Sequence, residues 1–174
     1  MPVEASPADR IAAAVKAYGE REVVERSSAL LAGANAGEDF LLYVGGTHAQ
    51  GILDGAPALY WPELWGARAL MYVWDDSARV AIKAGLTNQA WRVREMCVKV
   101  VLHRELPFAV DLAPLLTDEV GRVRAAAARA LAEVGDFEHA AGIKALLKDS
   151  DIEVRRPAGD ALTHLSKRLD RKIE

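Results

Sequence analysis

The dipeptide Val-Arg stands at Val93-Arg94, Val123-Arg124 and Val154-Arg155, spaced 30 and 31 residues apart. A chain that repeats at such a period stacks copies of one supersecondary unit, because a single copy cannot bury its apolar face alone. Four residues after each Val is a small side chain, Cys97, Ala127 or Ala158, and eight after it an aliphatic one, Val101, Leu131 or Leu162. The same frame reaches back to Pro62-Glu63, with Gly66 as the small residue and Leu70 as the aliphatic. Before the three clear pairs stand Asn88, Asp118 and Asp149, themselves preceded by Leu86, Leu115-Leu116 and Leu146-Leu147. At about 100° per residue, positions 0, +4, +7, +8 and +11 from the Val fall within one arc. In the third unit these are Val123, Ala127, Ala130, Leu131 and Val134, all apolar, so the repeating element is a helix. The small residue at +4 lets a neighbouring helix approach closely.

The remainder of the chain also reads as helical. Alternating strand patterns are absent, and the helix formers Ala, Leu, Arg and Glu are plentiful. Ser6, Pro7 and Asp9 spell an N-cap, a first-turn proline and an acidic first turn, which predicts a helix to about Tyr18. A second is expected over Glu20 to Leu31, ending in the Gly33–Gly37 stretch. Short helices over Glu38–Val44 and Thr47–Leu53 flank Gly45-Gly46, which separates them. Pro157 lacks an amide hydrogen, so the last helix is expected to start late, near Arg155, or to kink. The tail from Ser166 is expected to form a polar cap on the final unit. With 174 residues and 51% apolar content, the chain suits a single domain. Its expected division is an irregular helical cap over residues 1–58 and about four repeats over residues 59–174.

The pattern Leu-Leu-x-Asp, turn, Val-Arg-x-x-Ala-x-x-Ala-Leu-x-x-Val-Gly resembles the HEAT-repeat family, especially its short bacterial version. Residues 112–135 and 143–165 match it well, 82–102 reasonably and 59–74 loosely. The resemblance implies an all-α fold, a right-handed α-solenoid of stacked antiparallel helix pairs whose second helices line a concave side. It also implies a role for Arg94, Arg124 and Arg155: the equivalent Arg in HEAT repeats pairs with the Asp ending the preceding helix, here Asp118 or Asp149.

Side chains able to carry chemistry are few. His48, His103, His139 and His164 show no metal-ligand spacing with one another or with Cys97, so no metal site, cofactor or catalytic residue is expected. Cys97 fills the small seam position and reads as a packed residue. Gly45-Gly46-Thr47-His48 reads as a helix–helix turn, with an anion-holding nest as the other option. Lys and Arg number 22 against 25 Asp and Glu, a formal net charge of −3, which disfavours a surface that coats nucleic acid. The longest apolar run, Ala69 to Trp74, is far short of the roughly 20 residues a membrane span needs, and the first residues do not read as a secretory signal. A cytoplasmic setting without membrane association is the expectation.

The second helix of each unit has a further row. Positions +3, +6 and +10 project at about 300°, 240° and 280°, clear of the apolar arc. They read Trp65, Arg68, Tyr72; Met96, Lys99, His103; Ala126, Arg129, Glu133; and Pro157, Asp160, His164. Basic groups interleaved with aromatics suit an acidic peptide or a phosphate-bearing ligand. The candidate binding residues are therefore Trp65, Arg68, Tyr72, Met96, Lys99, His103 and Arg129, all expected to be at least partly exposed. The preferred function is a non-catalytic scaffold for an acidic protein or peptide. The alternative is a nucleic-acid enzyme: Trp74-Asp75-Asp76-Ser77-Ala78 and Trp91-Arg92-Val93-Arg94 resemble parts of the HEAT-like alkylpurine DNA glycosylases. That resemblance implies a site built from Trp74, Asp75 or Asp76, and Arg94. The family sets its Asp one helical turn beyond its Trp, where this chain has Ala78.

Overall fold

The computed structural model describes residues 3–173, and every regular element among them is helical. Helix α1 (Pro7–Tyr18) begins where the Ser6 hydroxyl accepts from the Asp9 amide at 3.2 Å, and it stops at Gly19, whose φ of 86° ends the helical path. Helices α2 (Glu20–Leu31), α3 (Glu38–Gly45) and α4 (Thr47–Leu53) follow with the bounds expected from sequence, α3 running one residue longer. Next come α5 (Trp61–Ala69), α6 (Arg79–Gly85), α7 (Trp91–Arg104) and α8 (Ala109–Leu112). Helices α9 (Gly121–Val134), α10 (Ala140–Ala145) and α11 (Ile152–Arg168) complete the order. Short 3-10 turns at Ala113–Thr117 and Leu146–Lys148 carry the Leu-Leu pairs into the turns ending at Asp118 and Asp149.

The chain divides inside α7 into two compact parts, one up to Val100 and one from Val101. In the first part α2 packs on α5, and α1 and α5 both pack on α3, around Phe40, Val24, Leu30, Leu64 and Leu70. The helices before residue 59 are thus packed together with α5. Gly66 makes the approach of α5 to α2 possible: a Cβ there would sit 2.5 Å from the Ser27 carbonyl oxygen and 2.8 Å from the Leu31 nitrogen. Cys97 is fully buried against Gly85, and burial pushes its thiol far up, so it stays protonated and inert. In the second part α9 packs along α11, with Val123, Ala127, Ala130 and Leu131 buried on one helix and Val154, Ala158, Ala161 and Leu165 on the other.

The repeat frame is written into the hydrogen bonds. Arg94 donates to the carbonyls of Asn88 at 2.8 Å and Gln89 at 3.0 Å. Arg124 does the same to Asp118 at 2.8 Å and Glu119 at 3.3 Å, and Arg155 to Asp149 at 2.6 Å and Ser150 at 3.0 Å. In each turn the Asn or Asp side chain accepts from the amide two residues on, that of Ala90, Val120 or Asp151. The carboxylate partner of Arg124 differs from the expectation. Its guanidinium forks onto Asp149, with Nε and Nη2 donating at 2.7 and 2.8 Å, so the ion pair runs forward to the next turn. Asp118 meets Arg124 through its main-chain carbonyl, and its carboxylate accepts from the Val120 amide. Glu63 and Asn88 make the matching forward link in the first part, the Asn88 amide donating at 2.8 Å.

The last helix does not start late, near Arg155. It starts at Ile152, capped by Asp151, whose side chain accepts from the Glu153 amide at 2.8 Å, and it continues through Pro157. The strong cap nucleates the first turn ahead of the proline, and burial of Pro157 and Ala158 against neighbouring side chains holds the chain helical beyond it.

Candidate binding site

Trp65 belongs to the core, with 3% of its surface exposed, so the expected partial exposure does not hold for it. Its indole lies against Gly45, where any Cβ would collide with the ring, and it stacks on Trp61 at 6.3 Å between centroids. Ala126 and Pro157, at the same +3 register, are buried too, and Met96 is half-buried. The reason is geometric. The +3 direction lies about 40° from the +7 row, and a helix with neighbours on two sides buries more of its circumference than one apolar arc.

The +6 and +10 rows behave as the frame implies. Arg68 is half-buried, and Tyr72, Lys99, His103 and Arg129 are exposed. Lys99 is committed in part to Glu95, one helical turn back on α7, at 3.1 Å. In the second part, the adjacent +10 residues Glu133 and His164 meet at 2.7 Å.

Arg68 and Tyr72 come together with a residue that the repeat frame did not point to, Arg10 of α1. Helix α3 ends at Gly45 and leaves its last carbonyls in need of donors. Arg10 Nε donates to the Tyr43 carbonyl at 3.0 Å, and Arg68 Nη2 donates to the Val44 carbonyl at 2.8 Å. Arg10 Nη1 also holds the Val3 and Ala5 carbonyls. The two guanidiniums are therefore drawn onto consecutive carbonyls from different helices. Burial lowers the pKa of both, and in Arg68 repulsion from Arg10 lowers it further, with Tyr72 acting on both in the opposite direction. Gly46 is required here: its φ of 58° lies in the left-handed region, and a Cβ would sit 2.7 Å from the Arg10 guanidinium carbon. Gly45-Gly46-Thr47-His48 is thus the turn joining α3 to α4, shaped around Trp65 and Arg10. Arg10 was legible only as a cation beside Ile11 and Ala14 on the apolar side of α1.

The glycosylase-like residues are otherwise engaged. Arg94 is 8% exposed and clamps the Asn88 turn. Asp75 accepts from the Ser77 amide at 2.9 Å, and its bonds to Ser77 hold it below the usual carboxylate range. The Trp74 indole donates to Asp76 at 3.2 Å. Trp74 and Asp75 line a depression shared with Glu20, Arg21 and Glu25, whose acidic surface repels a phosphate backbone. Among the described residues no three His, Cys, Asp or Glu side chains are grouped to hold a metal ion, and no helix is long and apolar enough to cross a membrane. No protein-family model matches the chain, and the curated proteins give no significant match.

Proposed function

We propose that the chain is a non-catalytic, HEAT-like helical-repeat scaffold that binds an acidic protein or peptide segment. In the first part the contacts are Arg68, Tyr72, Met96 and Lys99, with Trp65 supporting α5 from the core rather than touching the partner. In the second part the exposed Arg129 and His103 stand at the same register and serve as contacts of the same kind.

One observation carries this reading. Arg94, Arg124 and Arg155 are consumed by turns and ion pairs, whereas the Arg10–Arg68 cluster holds two full positive charges with no carboxylate bonded to either among the described residues. Buried and half-buried arginines are ordinarily paired, so an unneutralised pair beside an exposed tyrosine invites an external anion. The register-equivalent links of Glu63–Asn88 and Arg124–Asp149 support the repeat assignment. The test is affinity capture from a native lysate, comparing wild type with the double variant Arg68→Gln, Lys99→Gln. Both substitutions keep hydrogen-bonding side chains, and unchanged far-UV circular dichroism serves as the folding control. Loss of a specific, acidic captured protein is the expected result. Equal capture by both proteins would remove these residues from the function.

A further inference from the structure

We propose that Arg10, Arg68 and Tyr72 form a binding site for a phosphoryl dianion. This rests on the reading of Arg68 and Tyr72 as partner contacts and names the group they take. The C-terminal carbonyls of α3 hold the guanidiniums in place, but a helix end supplies only about half a negative charge, against two full positive ones. The structural bonds use Arg10 Nε and Nη1 and Arg68 Nη2. Among the described residues, Arg10 Nη2 and Arg68 Nε and Nη1 have no hydrogen-bond partner; Arg10 is 6% exposed and Arg68 half-buried. Tyr72, 48% exposed and near enough to act electrostatically on both guanidiniums, has a hydroxyl able to donate.

A phosphoryl group matches this arrangement better than a carboxylate does. Its two charges balance both guanidiniums, and its tetrahedral oxygens can meet forks that arrive from α1 and α5 in different planes. A carboxylate is planar, carries one charge, and is satisfied by a single fork. The group can come from a phosphorylated segment of the acidic partner or from free phosphate, which share this chemistry.

The experiment is a calorimetric titration of the full chain with four probes: a short phosphoserine peptide, the same peptide with Ser, the same with Glu, and inorganic phosphate. The phosphopeptide is expected to bind more than tenfold tighter than the Glu peptide. Its affinity is expected to rise between pH 5 and 7, as phosphate gains its second charge near a pKa of about 6. Arg68→Gln and Tyr72→Phe are expected to weaken it, Arg68→Gln by more than tenfold. Arg10→Gln is a poor primary test, since it also loosens the Ala5 and Tyr43 carbonyls. Binding of inorganic phosphate as tight as the phosphopeptide supports the site with free phosphate as its ligand. Equal binding of the Glu and phosphoserine peptides would overturn the dianion assignment while leaving the acidic-partner reading intact. Phosphopeptide binding unchanged in Arg68→Gln would overturn the site itself.

Discussion

Gly66 and Asp149 show how much rests on single positions. At Gly66 a methyl group would meet main-chain atoms of α2 rather than a flexible side chain, so the helices must move apart. Gly66→Ala is expected to destabilise the fold by about 2–3 kcal/mol, the upper range for overpacking, as measured by denaturant titration. Asp149 receives a two-pronged bond from Arg124 with 7% of its side chain exposed, and that bond first of all holds its pKa below the ordinary value. Asp149→Asn at neutral pH is expected to cost about 2 kcal/mol. The sign with pH follows from the depressed folded pKa. The contribution is present above the unfolded value of about 3.9 and is lost as pH falls through the folded one. The stability gap between wild type and Asp149→Asn should therefore close below about pH 4; a gap that persists at pH 2 would refute the ionic origin.

Among the elements, α11 is the one built against its own sequence. Pro157 removes the amide that would bond to the Glu153 carbonyl, inside a helix of 17 residues. An internal proline costs about 3 kcal/mol, and burying its ring returns about 1 kcal/mol. Pro157→Ala is expected to stabilise the second part by roughly 2 kcal/mol, seen as a higher melting temperature. A lower melting temperature would mean that ring packing outweighs the missing bond. Helix α7 gives an opposite lesson about exposed charge. Lys99 is 44% exposed in its side chain, yet it sits 3.1 Å from Glu95, whose side chain is only 12% exposed. Lys99→Glu would set like charges one turn apart, so it is expected to cost about 1 kcal/mol, more than a free surface charge would. Lys99→Gln is the variant that isolates binding from folding.

For the whole molecule, charge is the governing quantity. A formal net charge of −3 gives no long-range attraction to an acidic partner, so in the proposed function recognition would come from the local Arg10–Arg68 pair. Association is then expected to be short-ranged. Partner affinity should fall less than about tenfold between 50 and 500 mM salt, because a part-buried contact is weakly screened. A much steeper fall in a salt titration would point to many exposed phosphate-type or charge contacts elsewhere. The exposed cations of the second part, Arg129 among them, would then carry the larger share.

What the sequence determined by itself is what is local or periodic. Ser6, Gly19 and Gly46 place the ends of α1 to α4, because helix bonds reach only four residues and caps act within one turn. The 30-residue spacing of the Val-Arg pairs marked Arg94, Arg124 and Arg155 as equivalent, and all three hold turn carbonyls. Tertiary structure alone decided what depends on neighbours far along the chain. Periodicity places Trp65 off the apolar arc, but the turn at Gly45 covers it from another helix. The family resemblance offers Arg124 a partner behind it, but its fork closes on Asp149 ahead of it. The meeting of Arg10 with Arg68 follows from two helices, distant in sequence, closing on one helix end, and no pattern along a single helix encodes that convergence.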